Sequence, residues 1–179
     1  NRWGIFPSAA FAWTIKNEEF LQDVDVLSNL KLRLGYGVTG QQEIGDYMYI
    51  PSYHFGSNPN STYFGQNLLK PGGYNPDLKW EETTTYNIAI DYGFLNNRIN
   101  GSLELYMKKT KDLLNTVSSP AGTNYTNLIT GNVGEMENKG IEISINTVPI
   151  ETKDWHWELN YNVTWNSSEI TKLTASYNP

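Results

Sequence analysis

The sequence predicts an all-β fold, a set of about six strands from an antiparallel β-barrel that spans a membrane. Three observations predict it. Apolar and polar residues alternate in six segments, each alternation continues for about ten residues, and short and long connections follow one another. Strands of soluble proteins are typically about 5–6 residues long. Ten residues tilted near 45° rise about 23 Å, which is close to the apolar thickness of a bilayer.

The six alternating segments are 2–15, 29–38, 85–94, 98–107, 139–148 and 154–166. The last segment, DWHWELNYNVTWN, is the clearest, because every second residue from Trp155 to Trp165 is apolar and every residue between them is polar. A strand of this kind has one aromatic face and one hydrophilic face. We expect the apolar faces to contact lipid and the polar faces to line an aqueous lumen.

Tryptophans lie at both ends of the first and the last apolar face, at Trp3, Trp13, Trp155 and Trp165. Rings at both ends of a membrane strand are typical of the aromatic girdles at the two lipid–water interfaces. The same rings could instead pack inside a soluble β-sandwich. The length of the strands and their uniformly polar opposite faces favour the membrane interpretation.

The lengths of the connections distinguish the two ends of the predicted sheet. Asn96 and Asn97 tolerate positive φ and predict a tight hairpin, and the PIETKDW connection is also short. Long connections are predicted at residues 39–79 and 109–137, and one plausible helical turn at residues 17–29. Short turns at one end and long loops at the other are typical of outer-membrane barrels.

The composition excludes several function classes. The net charge is -6 and the pI is about 4.9, which argues against a nucleic-acid partner. The chain has no cysteine, which excludes disulfides and thiolate metal sites. No run approaches the roughly 18 apolar residues of a membrane helix. The mean hydropathy of -0.51 is compatible with barrel strands, whose alternating residues average out.

Four stretches, taken together and in order, carry a resemblance to a known family. They are FPSAAFAWTIKNEEFL, LSNLKLRLGYGVTGQQEIGDY, NPDLKWEETTTYNIAIDYGFLNNRINGSLELYMKKTKDLL and GNVGEMENKGIEISINTVPI. On these stretches the chain resembles the barrel of the SusC/RagA-type TonB-dependent outer-membrane transporters, which are abundant in Bacteroidetes. The resemblance covers nearly the whole chain, and the stretches are specific in combination.

The resemblance implies a barrel of about 22 strands with a plug in its lumen, located in the bacterial outer membrane. It also implies import of glycans or oligopeptides, driven through TonB, beneath a SusD-like surface lipoprotein. No enzymatic activity and no cofactor are implied. Because six strands are fewer than the roughly eight of the smallest barrels, we expect residues 1–179 to be part of a barrel, without the plug domain.

The long connection at residues 39–79 is the best candidate for a binding site. It holds aromatic residues among Asn, Ser and Gly, and flat rings beside amide and hydroxyl groups suit sugar rings or peptide side chains. We expect contact with substrate or with the lid lipoprotein at Tyr49, Tyr53, His54, Tyr63 and Phe64. For any one of these rings, packing of the loop onto itself is the alternative.

Two other function classes stay open at this point. A soluble β-sandwich carbohydrate-binding module would use the aromatic faces as its core, and a secreted glycosidase would use acids on the polar face. Those acids are Asp91, Glu104, Glu142 and Glu158. His156 lies two residues before Glu158, but no third ligand is near them in sequence, so support for a zinc site is weak. We expect no catalysis, because polar barrel interiors ordinarily face water.

Overall fold

The computed structural model describes residues 3–41, 44–55, 62–64 and 66–173, and the side chains at positions 62, 63 and 67 lie outside that description. Within this part, ten strands follow one another along the chain. They are β1 (Ser8–Thr14), β2 (Leu27–Gln41), β3 (Tyr53–Phe55), β4 (Thr62–Tyr63), β5 (Gln66–Asn67), β6 (Leu69–Pro71), β7 (Glu81–Phe94), β8 (Ile99–Ser118), β9 (Leu128–Glu151) and β10 (His156–Leu173).

Six of these strands form one antiparallel sheet in the order β1-β2-β7-β8-β9-β10, so each long strand pairs with the next one along the chain. The four short strands form two small pairs, β3 with β6 and β4 with β5, in the connection between β2 and β7. A meander of six long strands confirms the predicted fold class.

The turn between β7 and β8 confirms the predicted tight hairpin. Leu95, Asn96 and Asn97 have φ of 53°, 56° and 61°, and the N–H of Arg98 donates to the carbonyl of Leu95 at 3.2 Å. Consecutive residues with positive φ turn the chain with the twist that the flanking strands require. Asparagine tolerates this conformation because its short side chain can bond locally.

Side chains alternate between two chemically different faces across the whole sheet. Residues paired directly on neighbouring antiparallel strands share a face. One row of pairs runs through Phe11, Leu34, Ile88, Leu105, Ile141 and Trp165. The next row on that face runs through Trp13, Leu32, Ile90, Leu103, Ile143 and Val163. We call this face the apolar belt.

The opposite face is mainly polar, with two small alanines in it. The row that lies between the two apolar rows runs through Ala12, Arg33, Ala89, Glu104, Glu142 and Thr164. A second polar row runs through Thr14, Lys31, Asp91, Ser102, Ser144 and Asn162. The predicted separation of an apolar face from a polar face therefore continues across all six strands of the sheet.

The apolar belt faces away from any protein core. Most of its large side chains are exposed, among them Leu159, 46% of whose surface is accessible, while Val38 at the end of the belt on β2 is buried. An apolar surface this continuous needs a non-aqueous environment. Within the described residues no second sheet packs on the belt, so the soluble β-sandwich alternative, which requires these side chains to fill a closed core, is wrong.

The belt shifts along the strands from one side of the sheet to the other. On β2 it covers residues 30–38, with Leu34 in the middle, and on β10 it covers residues 157–165, with Tyr161 in the middle. If the strands ran straight up through a bilayer, these two central residues would lie on one row of pairs. They do not, and the offset between them measures how far the strands tilt.

The offset equals four residues. The row of pairs that contains Tyr161 reaches β2 at Leu30, four positions from Leu34, by way of Ile145, Gly101 and Tyr92. Four residues are about 13 Å along a strand, and the four strand spacings between β2 and β10 are about 19 Å, which gives a tilt near 35°. Membrane barrels have strand tilts of about 35–45°.

The first strand is shorter than predicted. It begins at Ser8 and leaves Trp3 outside the sheet, because Pro7 has no N–H to continue the ladder of hydrogen bonds. The aromatic contact at this end is made by Phe6, which stacks on Trp80 with ring centroids 5.7 Å apart. Trp3 itself is exposed at the same end of the sheet, and the stacked pair of Phe6 and Trp80 joins two parts of the chain there.

The predicted helical turn at residues 17–29 is also shorter. It consists of one 3-10 turn, Ile15–Asn17, and one α-helical turn, Glu19–Gln22, before β2 begins at Leu27. The ammonium of Lys16 holds this connection together by donating to three carbonyls, those of Leu21, Gln22 and Val24, at 2.7–3.1 Å. In the part of the chain that the structure describes, no helix is long and apolar enough to cross a membrane.

The prediction of a second long loop at residues 109–137 is wrong. β8 continues to Ser118 and β9 begins at Leu128, so the connection covers only residues 119–127. The continuity was hidden by an irregularity at Asp112, whose φ is 56° and where the register of the two strands shifts. An extra residue of this kind breaks the period-two pattern without ending the strand.

The two strands therefore extend beyond the apolar belt at the end that carries the long loop. We call this extension, residues 110–118 with 128–137, the outer hairpin. It holds the buried apolar cluster of Val117, Ile129 and Val133, and Leu78 from the β2–β7 connection is buried as well. The described residues thus bury this hydrophobic cluster beyond the end of the apolar belt, where water would otherwise reach it.

Candidate functional site

The candidate site is the small hairpin that β3 and β6 form in the β2–β7 connection. Tyr53 pairs with Pro71 and Phe55 pairs with Leu69, so these side chains share one face. Tyr53 is 63% exposed and Phe55 is 66% exposed. We call this surface the aromatic hairpin face. Exposed apolar surface of this kind is typical of a contact site for a ligand or a partner.

The other face of the same hairpin is polar. His54 pairs with Lys70, and the imidazole of His54 lies beside Gly72, where a Cβ would meet its ring atoms at 3.5 Å. The N–H of Gly72 donates to the carbonyl of Ser52 at 2.8 Å and closes the base of the hairpin. The hairpin is therefore amphipathic, with rings on one side and two basic side chains on the other.

The structure brings together two of the five predicted contact residues. Tyr53 and His54 lie next to each other on β3 but point to opposite faces. Tyr49 is exposed in the turn that precedes β3, and Phe64, 88% exposed with a φ of 49°, follows β4. The side chain of Tyr63 lies outside the described residues. Substrate or lid contact at these five positions stays a prediction.

Two members of the aromatic hairpin face, Phe55 and Leu69, were not among the predicted contact residues. The period-two spacing from Tyr53 to Phe55 was the signal that could have identified the first. Leu69 lies on the far side of two intervening short strands, and only the antiparallel pairing brings it beside Phe55. No local pattern in the sequence contains that information.

The polar face of the large sheet holds a network of ion pairs. The guanidinium of Arg33 donates through Nε and Nη2 to the two carboxylate oxygens of Asp91, both at 2.9 Å. Its Nη2 also lies 3.7 Å from Oε2 of Glu104, whose other oxygen accepts from the amide of Asn87 at 3.3 Å. A planar guanidinium suits this fork-shaped pairing better than an ammonium would.

This network argues against a glycosidase that would use Asp91 and Glu104, two of the four candidate acids. A glycosidase needs one carboxyl group that is free to donate a proton and a second that is free to act as base or nucleophile. Here Arg33 pairs with both Asp91 and Glu104 and holds them in place. Within the described part of the chain, no group of three or more His, Cys, Asp or Glu side chains could hold a metal ion.

Comparison with known proteins places these features in a family. The model of a family described as "TonB dependent receptor-like, beta-barrel" matches residues 1–178. The chain is 54% identical to the TonB-dependent receptor SusC of Bacteroides thetaiotaomicron over 179 residues, which cover 98% of this chain and 18% of SusC. It is 37% identical to the TonB-dependent receptor P39 of Formosa agariphila, covering 96% of this chain and 16% of that protein.

Solved structures agree with the sequence relatives. The RagAB peptide transporter superimposes with a TM-score of 0.82 at 31% identity, over 97% of this chain and 19% of the matched chain. The RagAB peptide importer in its "open-open" state gives 0.86 at 31% identity, over 99% of this chain and 19% of the matched chain. The chain therefore spans about a fifth of the length of the relatives it matches.

The fold and the comparisons lead to the same family. Members of that family are transporters rather than enzymes, and their barrels reside in the bacterial outer membrane. The two-faced strands and their tilt near 35° are what such a location requires. This chain belongs to the TonB-dependent receptor β-barrel family, as a SusC/RagA-type member.

Proposed function

We propose that the six long strands form one sector in the wall of an outer-membrane transporter that imports glycans or oligopeptides and is driven through TonB. Residues 1–179 belong to the barrel, and the plug of the same protein lies outside them. A SusD-like surface lipoprotein covers the outer mouth. The whole protein, and not this sector alone, carries out transport.

The observation that carries the proposal is the continuous apolar belt opposite a polar face, with a strand tilt near 35°. Among the residues that the structure describes, β1 and β10 are the edges of the tilted sheet, and closing into a barrel would pair both edges. The polar face, with the Arg33–Asp91 pair, then lines the lumen. The relationship to SusC and to the RagAB peptide transporter supports transport as the activity of the whole protein.

The β2–β7 connection supplies the contact surface in this proposal. Tyr53 and Phe55 present flat rings, to which a sugar ring or an apolar peptide side chain can bind by stacking. The other predicted contact positions for substrate or the lipoprotein lid are Tyr49 and Phe64, which are exposed, His54 on the opposite face of the hairpin, and Tyr63. A glycan would place a sugar ring on these aromatic rings, and an oligopeptide would place an apolar side chain there. Uptake of one probe from each class can therefore distinguish the two substrates.

The test uses cells that express the full-length parent protein, together with cells from which it has been deleted. Two fluorescent probes are offered, a set of glucan oligosaccharides and a mixed pool of decapeptides. We expect one probe to accumulate only in expressing cells, and a protonophore to stop it because TonB needs the proton-motive force. Replacing both rings, Tyr53→Ala with Phe55→Ala, should reduce accumulation about tenfold or more.

The matched control is Lys70→Ala, which removes a side chain from the opposite face of the same hairpin. All variants must reach the outer membrane in equal amounts. Equal uptake of both probes by deleted and expressing cells would overturn the proposed import of these substrate classes. Recovery of the parent protein from the soluble fraction would overturn the barrel assignment itself.

A further inference from the structure

Three asparagines fasten the β2–β7 connection to the outer hairpin. They are Asn75 in the connection, Asn124 in the loop of the outer hairpin, and Asn132 on β9. Asn124 and Asn132 each bond to a backbone N–H and a backbone carbonyl of one residue in the connection. In this way a side-chain amide takes the place of a strand neighbour.

The side chain of Asn132 makes three hydrogen bonds. Its Oδ1 accepts from the N–H of Lys79 at 2.8 Å, and its Nδ2 donates to the carbonyl of Lys79 at 2.9 Å. The same Nδ2 donates to the carbonyl of Asp112 on β8 at 2.7 Å. One amide therefore joins β9, the irregular point of β8 and the connection, and both hydrogens of its nitrogen are used.

Asn124 repeats the arrangement nearer the tip. Its Oδ1 accepts from the N–H of Tyr74 at 3.3 Å, and its Nδ2 donates to the carbonyl of Tyr74 at 2.7 Å. The ring of Tyr74 also packs on Tyr125, with centroids 6.0 Å apart. The connection is thus held at both ends of the segment from residue 74 to residue 79.

Asn75 seals the middle of that segment. It is only 3% exposed, its Nδ2 donates to the carbonyl of Thr130 at 3.0 Å, and its Oδ1 accepts from the N–H of Asp77 at 3.0 Å. Its backbone N–H donates to the carbonyl of Met48 at 3.0 Å. A buried polar side chain with these bonds is costly to misplace, so it specifies one arrangement of the segment.

The aromatic hairpin face is attached directly to this fastened segment. Strand β6 ends at Pro71, and Gly72, which bonds to Ser52 at the base of the hairpin, precedes the segment. Strands β3 and β6 are three residues each, too short to hold their own orientation. Gly73 lies so close to Ile129 and Leu128 that a Cβ would sit 3.1 Å from both, which indicates tight packing at the junction.

We propose that Asn75, Asn124 and Asn132 are positioning residues for ligand recognition, and we call the three residues the asparagine clamp. They hold the aromatic hairpin face and the outer hairpin as one unit, so that the rings of Tyr53 and Phe55 meet substrate or lid in a preset orientation. This proposal rests on the proposed function of the loop. A preorganised surface loses less conformational entropy when it binds, and each amide contributes to affinity without touching the ligand.

The test measures amide hydrogen exchange in the full-length parent protein, purified in detergent from outer membranes. The variants are Asn132→Leu and Asn124→Leu, with the milder Asn132→Asp in case the first does not insert. We expect exchange in residues 44–55 and 66–80 to rise about tenfold or more, because two or three hydrogen bonds are lost at the clamp. Exchange in the membrane part of β7 and β10 should not change.

The control is Asn115→Leu, an exposed asparagine on β8 whose side chain bonds only to the N–H of its own neighbour, Thr116. It should leave exchange at the wild-type rate. The same variants are then given the glucan and decapeptide probes, and uptake should fall for the clamp variants and not for the control. Unchanged exchange in residues 44–55 in both leucine variants would overturn the clamp.

The two proposals can fail separately. Faster exchange with full uptake of the transported probe would show that the clamp orders the loop and that the loop does not recognise the ligand. Slow exchange with lost uptake would place recognition elsewhere on the outer hairpin and would overturn the positioning role. Neither result depends on knowing the natural substrate in advance.

Discussion

At the scale of single residues, two tyrosines cover glycines on the sheet. Tyr106 lies over Gly140 on the neighbouring strand, where an added Cβ would be 2.7 Å from the ring. Tyr92 lies over Gly101 and donates from its hydroxyl to the carbonyl of Ser144 at 3.2 Å. An aromatic ring over a glycine repairs the gap in side-chain packing that glycine leaves in a strand.

Gly140→Ala should therefore destabilise the barrel by about 1–3 kcal/mol, because the new methyl group meets both the Tyr106 ring and the carbonyl of Trp165. The control is Gly37→Ala on β2, where the nearest atom to an added Cβ is 3.8 Å away. That change should be neutral or slightly stabilising, since alanine loses less backbone entropy. Denaturant midpoints of the parent protein in vesicles measure both, and equal midpoints would contradict the packing argument.

At the scale of one element, each strand separates two solvents. The clearest contrast is on β10, where Leu159 belongs to the apolar belt and Asn160 to the polar face. This separation depends on register, since a slip of one residue would exchange the two faces. Pairing with β9 holds the register over nearly the whole of β10, with irregularities near each end.

Leu159→Arg should cost about 2–4 kcal/mol, because the guanidinium enters the hydrocarbon region. Asn160→Arg adds the same side chain to the aqueous face and should cost much less. The free energy of unfolding in lipid vesicles, measured by urea titration, compares the two variants. An equal loss in both, or a larger loss for Asn160→Arg, would reverse the assignment of lipid and lumen faces.

Elements could be recognised from sequence only where the alternation was unbroken. Residues 139–148 were predicted as a strand and lie within β9, and all but the first two residues of the predicted segment 154–166 lie within β10, which begins at His156. The outer hairpin was taken for a loop because the irregular register at Asp112 interrupts the period. Its continuation is enforced by pairing between β8 and β9 and by the bond from Asn132 to the carbonyl of Asp112, which are long-range contacts.

At the scale of the whole molecule, the sheet has two distinct ends. The turn end carries the tight Leu95–Arg98 turn, and the loop end carries the β2–β7 connection and the outer hairpin. Large loops of outer-membrane barrels face the outside, and short turns face the periplasm. The proposed function requires that orientation, because substrate and lid approach the loop end.

Labelling of introduced cysteines tests the orientation in intact cells, since residues 1–179 contain no cysteine of their own. Lys70→Cys, on the aromatic hairpin, should react with a membrane-impermeant maleimide without further treatment. Asn96→Cys, in the tight turn, should react only after the outer membrane has been permeabilised. The opposite pattern would place the long loops in the periplasm and would remove the proposed contact surface from the substrate.

The sequence by itself determined the two-faced strands, the tight turn at Asn96 and Asn97, and the membrane location, because these follow from local periodicity and backbone preference. The tertiary structure alone decided the tilt, the length of the outer hairpin, the partners of Arg33 and the asparagine clamp. Each of these joins residues that are distant along the chain. Period-two patterning states which face a residue occupies, but only pairing register states which neighbour it meets.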